Sequence, residues 1–178
     1  MKVLETKRLV LRPWRIEDLE DFYEYAKNPN VGPNAGWQPH ESMGKSLKIL
    51  ESFIEGNEVW AIVDRENNKV IGSVGNHGDG KRRSSGARMI GYVLSQDYWG
   101  MGIMTEVVER VIKHLFEDIG ASIISIYHYP HNIRSKRVIE KCGFKYEGTL
   151  RMASEIYDGS IYDDICYSIT RGEYISKI

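Results

Sequence analysis

Tyr98-Trp99-Gly100-Met101-Gly102-Ile103-Met104-Thr105 follows an apolar run, Met89-Ile90-Gly91-Tyr92-Val93-Leu94, and opens a segment whose apolar residues recur at helical spacing. The pattern reads as strand, glycine turn, helix. Two glycines one residue apart let the backbone come close to a bulky anion, and the first N–H groups of the following helix lack intrahelical partners. A helix start of this kind binds phosphate. A simple strand-to-helix bend would use the same glycines, so the turn alone leaves both readings open.

Two familiar phosphate loops drop out. A nucleotide triphosphatase needs a lysine after its last loop glycine, and none follows Gly102. A dinucleotide fold needs a third glycine where Thr105 stands, and no clear acidic residue ends the next strand.

Outward from the turn, the elements alternate without repeats. Arg8-Leu9-Val10-Leu11-Arg12-Pro13 alternates as a strand and ends at proline. Ile16, Leu19, Phe22, Tyr23 and Ala26 fall at helical spacing, and the long loop from Asn28 to His40 holds three prolines and two glycines. Ser42 is placed to cap a second helix that ends at Gly56-Asn57. Val59 to Val63 and Lys69 to Val74 read as a hairpin, followed by a strand from Arg88 to Leu94. After the glycines, Val107, Val108, Val111, Ile112 and Leu115 share one helix face. A strand at Ile123 to Tyr127, a helix at Ile133 to Cys142, and strands at Phe144 to Leu150 and Ile161 to Ile169 complete the chain. This order predicts an α/β (mixed α+β) fold, a central mixed sheet with helices on both faces.

Composition narrows the function classes. With 178 residues, 42% of them hydrophobic, the chain suits one domain spanning residues 1–178. A net charge of −1 argues against binding nucleic acid by bulk electrostatics. Cys142 and Cys166 cannot form a disulfide framework or a zinc site, so no metal is expected. No signal-peptide core and no run of about 18 apolar residues occurs, which predicts a cytoplasmic protein without membrane attachment.

A second motif lies about thirty residues beyond the glycines: Asn132-Ile133-Arg134-Ser135-Lys136-Arg137-Val138-Ile139-Glu140-Lys141-Cys142-Gly143-Phe144. With it the chain strongly resembles the GNAT superfamily of acetyl-CoA-dependent N-acetyltransferases, in the branch that acetylates amino termini of proteins, including ribosomal ones. Arg8 to Arg12, the Gly36-Trp37-Gln38-Pro39-His40 loop, Trp99 to Gly102, Asn132 to Phe144 and Tyr162-Asp163-Asp164 carry the resemblance. The family's turn is written [QR]-x-x-G-x-[GA]; here Trp99 replaces the polar residue and Met104 the small one.

The resemblance implies a mostly antiparallel sheet with one splayed pair of strands, and acetyl-CoA as co-substrate without a metal. Backbone groups from Trp99 through Gly100, Met101, Gly102, Ile103 and Met104 to Thr105 would bind the pyrophosphate. Tyr92, Val93 and Leu94 would pair with the pantetheine arm, and Asn132 would hold its other side. Ser135 occupies the position of a hydroxyl that protonates the departing thiolate. Trp37, His40 and Tyr162 would border the acceptor, with His40 the first candidate for a base and His77, His128 and Glu155 weaker ones. An α-amine with pKa near 8 is already roughly a tenth neutral at pH 7, whereas a lysine amine is neutral in about one molecule in 2,500. An amino-terminal acceptor therefore needs little general-base help.

The expected activity is acetyl transfer to a primary amine, with a protein or peptide amino terminus first. The acceptor leaves alternatives: a small amine such as a polyamine, amino acid or antibiotic, or no acceptor at all in an acyl-CoA-binding sensor. The expected assembly is a monomer or homodimer. Lys81-Arg82-Arg83 reads as a solvated basic run or a contact to the ribose phosphate.

Overall fold

The alternation that marks Leu9 and Leu11 as inward-facing is realised in a computed structural model that describes residues 1–176, where both side chains are buried. The eight strands form one mixed, mostly antiparallel sheet in the order β1-β2-β3-β4-β5-β6-β8-β7. Among the described residues, five α-helices accompany these eight strands. The chain divides into two compact units, Met1–Gly75 with Tyr92–Val107, and Asn76–Gly91 with the residues from Val108 on.

In the first unit, β1 (Leu4–Glu5), β2 (Leu9–Pro13), β3 (Val59–Asp64) and β4 (Val70–Gly78) form an antiparallel meander, registered through Leu4↔Leu11, Leu11↔Ile62 and Ile62↔Gly72. Helices α1 (Leu19–Ala26) and α2 (Met43–Gly56) place Phe22, Tyr25, Ala26 and Leu50 in a core with Trp14, Val31, Ala61, Val63 and Val70. Trp14 and Phe22 lie 5.1 Å apart, a tilted aromatic pair at its centre. Ser42 caps α2 by accepting from the Lys45 amide, and Asn57 ends it in the left-handed conformation, as the sequence predicts.

In the second unit, β5 (Ala87–Leu94, its first part) pairs in parallel with β6 (Ile123–His128), which pairs antiparallel with β8 (Ile161–Thr170), itself paired with β7 (Lys145–Glu155). The parallel register runs from Ala87↔Ile123 to Met89↔Ser125. Helix α3 (Ile103–Glu117) buries Val111, Ile112, Leu115 and Phe116 here, and α4 (Ile133–Lys141) buries Ile139.

Four elements differ from the sequence reading, the first being β4, which continues to Gly78 rather than ending at Val74. A two-residue strand, β1, precedes the strand read as first. Strand β7 continues to Glu155 rather than ending at Leu150, because register shifts at Tyr146/Gly148 and Leu150/Ser154 break the alternation while pairing with β8 persists. A short α5 (Arg171–Ile175) follows β8, started by a Thr170–Glu173 capping box.

Candidate functional site

The glycine turn lies in the first unit. After β5, a short 3-10 turn at Gln96–Tyr98 leads to Trp99, whose indole Nε1 donates to the Leu94 carbonyl at 2.9 Å and closes the connection. Trp99 packs beside the core, so the residue standing where the family pattern has a polar one acts as a brace. Gly100 and Gly102 adopt φ of 79° and 72°, the left-handed region that other residues enter at a cost. The first bond of α3 runs from the Glu106 amide to the Gly102 carbonyl at 3.2 Å, so the amides of Ile103 and Met104 precede the helical ladder.

The space around the turn fits a large anion. No atom lies within 4 Å of where a side chain on Gly100 would begin, and Gly100, Met101 and Gly102 are exposed. Ile103 and Met104 turn inward and are each only 5% exposed. The bulk of Met104 therefore enters the core and leaves the cradle open. Thr105 is half-buried in the same first turn.

Two residues outside the motif shape this segment. Gly72 of β4 meets β5 so closely that a Cβ there would stand 2.4 Å from the Val93 carbonyl oxygen and 3.1 Å from the Leu94 Cα. Arg8 reaches the turn from the start of β2, donating from Nη1 to the Met101 carbonyl at 2.9 Å and from Nε to Glu106 at 2.7 Å. Sequence reading assigned Arg8 only to a strand and passed over Gly72. No local pattern marks either, because their partners lie far along the chain.

The Asn28–His40 loop is pinned rather than open at its end. The His40 amide donates to the Ala26 carbonyl, its Nδ1 lies 2.7 Å from Ser46 Oγ, and its ring meets Phe22 and Trp37 at 5.2 and 5.1 Å. His40 is 5% exposed, and burial followed by the charge of Lys45 lowers its pKa, which favours the neutral ring. These contacts make it a loop anchor, a poor station for a base that must meet an acceptor. Gly32 lies under Trp37, where a Cβ would fall 2.6 Å from the indole.

In the second unit, Asn132 caps α4 by accepting the Ser135 amide at 3.1 Å. The cap uses one lone pair of that oxygen and fixes the amide at the start of α4. Asn132 and Ser135 are thus brought together, both half-buried, at the start of a helix. Tyr162 stands against Tyr129 and His131, with ring centroids 5.4 and 5.0 Å apart. The aromatic partners at 129 and 131 went unread in the sequence. His128 donates from Nδ1 to the Tyr129 carbonyl at 2.7 Å, and its Nε2 is enclosed without a hydrogen-bond partner. His77 is half-buried and Glu155 is exposed.

The basic run at Lys81-Arg82-Arg83 is not simply solvated. Lys81 Nζ pairs with the buried Asp164 at 2.7 Å and lies 5.0 Å from the Tyr127 ring centroid. Arg82 bonds Ser125 Oγ at 2.8 Å and pairs with Asp79 and Glu147. Tyr127 donates its hydroxyl to Asp79, within 2.8 Å of both carboxylate oxygens. Burial raises the pKa of Asp79, but hydrogen bonds from Ser125, the Lys81 amide and Tyr127, with the charge of Arg82, outweigh it and hold the carboxyl below its usual range. Asp164 also accepts from Ser154 at 2.9 Å, so the Tyr162-Asp163-Asp164 segment contributes a strand anchor. Among the described residues no group of three or more His, Cys, Asp or Glu could hold a metal ion, and no helix is long and apolar enough to cross a membrane.

Comparison with known proteins places this geometry. Residues 8–145 match the family model described as "Acetyltransferase (GNAT) domain". The Bacillus subtilis protein named "Uncharacterized N-acetyltransferase YoaA" is 29% identical over 174 residues, covering 95% of this chain and 97% of its own. The Escherichia coli "[Ribosomal protein uS5]-alanine N-acetyltransferase" is 26% identical over 96% of this chain and 92% of its own. A crystal structure of a GNAT-family acetyltransferase from Bacillus anthracis superposes with a TM-score of 0.86 at 20% identity, over 97% of this chain and all of the other, which shows a shared fold.

Proposed function

Because the chain belongs to the GNAT acetyltransferase family and is an N-acetyltransferase, we propose that it acts as one domain over residues 1–178 and acetylates the α-amine of a protein or peptide amino terminus. GNAT acetyltransferases use acetyl-CoA, which when bound supplies an acetyl thioester. The observation that carries the cofactor reading is the turn at Gly100–Gly102, where two left-handed glycines lead into the start of α3 and no atom lies within 4 Å of where a side chain on Gly100 would begin. Each further role is carried within one unit. Tyr92, Val93 and Leu94 would offer backbone groups to the pantetheine amides, and Asn132 would hold the other side of the arm. The Ser135 hydroxyl, at the start of α4, would protonate the departing sulfur and recover a proton from the one the attacking amine loses.

Two facts support an α-amine acceptor. His40 is an enclosed anchor and the His128 Nε2 is sealed from solvent, so neither readily serves a lysine that must lose a proton at neutral pH. The uS5-alanine acetyltransferase, which acts on an amino terminus by its name, aligns over nearly the whole chain. Of the residues the resemblance assigns to the acceptor, Trp37, His40 and Tyr162, His40 is the enclosed one, and the proposed compartment is the cytoplasm.

The test is mass spectrometry of peptides and small amines incubated with the protein and acetyl-CoA. Acetylation confined to peptide amino termini supports the reading. Acetylated polyamines or amino acids with untouched peptides would overturn the acceptor, and coenzyme A binding without any product would point to a sensor.

A further inference from the structure

The contact between Arg8 and the glycine turn gives a part to a residue that the resemblance counts only within the Arg8–Arg12 strand. Arg8 lies more than ninety positions before the turn, yet it makes three hydrogen bonds there. Its Nη1 donates to the Met101 carbonyl at 2.9 Å, its Nε to Glu106 Oε2 at 2.7 Å, and its backbone amide to Glu106 Oε1 at 3.0 Å. The remaining guanidinium nitrogen, Nη2, stands 3.9 Å from where a Cβ on Gly102 would be.

Two consequences follow from elementary chemistry. The carbonyl and N–H of a trans peptide point in opposite directions. Arg8 holds the Met101 carbonyl from one side, which turns the Gly102 amide toward the other. Gly102 has no side chain and tolerates either sign of φ, so without that hold the peptide between Met101 and Gly102 could flip.

The second consequence concerns charge. Glu106 sits in the first turn of α3, where a carboxylate occupies the positive end of the helix and repels an incoming diphosphate. It is ionised: burial raises its pKa, but the Thr6 hydroxyl, the Arg8 amide and the Arg8 side chain and charge outweigh that and lower it. Arg8 cancels this charge through a two-point contact.

We infer that Arg8 is a positioning residue for the diphosphate of coenzyme A: it orients the Met101–Gly102 peptide and neutralises Glu106, so that the turn presents donors without a competing anion. This rests on the acetyl-CoA reading above. It also gives a purpose to the charged residue that opens the Arg8 to Arg12 strand.

The experiment is calorimetric titration of coenzyme A into the wild type, Arg8→Gln, Glu106→Gln and the double variant, at low and high salt, with circular dichroism to verify folding. Arg8→Gln is expected to weaken binding about tenfold, from the lost donor and the uncompensated carboxylate together. Glu106→Gln leaves the cation of Arg8 beside the turn and is expected to tighten binding about threefold at low salt. In the double variant, loss of the carboxylate restores binding to within about threefold of the wild type. A purely structural prop would instead make the double variant bind no better than Arg8→Gln, and that result overturns the inference. If Arg8→Gln does not fold, Glu106→Gln decides: unchanged or weaker binding at low salt counts against neutralisation. Wild-type protein that ignores coenzyme A sinks the acetyl-CoA reading and this inference with it, whereas wild-type affinity in Arg8→Gln sinks this inference alone.

Discussion

Gly72→Ala tests how the sheet places the backbone assigned to the pantetheine arm. An added Cβ would lie 2.4 Å from the Val93 carbonyl oxygen, about an ångström inside ordinary contact, and 3.1 Å from the Leu94 Cα. The two nearest atoms belong to the backbone of β5 rather than to the end of a flexible side chain, so β5 itself must move. The bond from the Ser95 amide to the Ile71 carbonyl, 2.8 Å long, stretches with it. Overpacking of this kind costs about 1–3 kcal/mol, which lowers the melting temperature of a chain this size by roughly 2–10 °C. Displacing Val93 and Leu94 by about an ångström also breaks one or two ligand hydrogen bonds, so the Kd for coenzyme A should rise about tenfold. Scanning calorimetry and isothermal titration measure the two effects on one preparation. Gly44→Ala is the control, because the nearest atom to its Cβ is 3.8 Å away in an exposed part of α2, and it should hold or raise the melting temperature. A Gly72→Ala protein that melts and binds like the wild type would refute the reasoning.

Three further outcomes are expected. Ser135→Ala should lower kcat at least tenfold while leaving the Kd for coenzyme A within about twofold; equal turnover removes the acid role. Lys81→Met should destabilise by about 2 kcal/mol, because it strands the buried Asp164 carboxylate, and Asp164→Asn in the same background should recover part of the loss in urea melts. His128 has its pKa lowered chiefly by burial, against a hydrogen bond to Tyr129 that raises it, with Lys136 and His131 lowering it and Glu140 raising it. The unfolded chain therefore takes up a proton before the folded one, so stability is complete above about pH 6.5 and falls as the pH drops toward the native value. His128→Leu should make that decline shallower between pH 7.5 and 5.5, and an unchanged slope would count against it.

Much of the fold was legible because its signals are local. Ser42 and Asn57 bound α2 by cap chemistry within one helical turn, and the buried stripe of α3 appears at spacing 3.6. The end of β7 was not legible, since Met152 takes φ of 50° and the register shifts that carry the strand to Glu155 depend on its partner β8. Lys81 and Arg82 looked like a solvated run for the same reason: Asp164 and Glu147, which hold them, stand more than sixty positions away. Burial, too, is collective. His40 as a loop histidine suggested a base, and only the packing of Phe22, Trp37 and Ser46 around it makes it an anchor.

By itself, the sequence determined the strand, glycine turn and helix, the cap of α2, and the family these motifs resemble, because each depends on residue type at short spacing. Tertiary structure decided how the turn is held. Glycine at 100 and 102 permits many peptide orientations, and a guanidinium arriving from Arg8 holds the Met101 carbonyl in one of them. Likewise, Gly72 sets how near β5 lies through a contact no window of sequence contains. Local chemistry names the parts of an anion cradle; long-range packing fixes their orientation and charge.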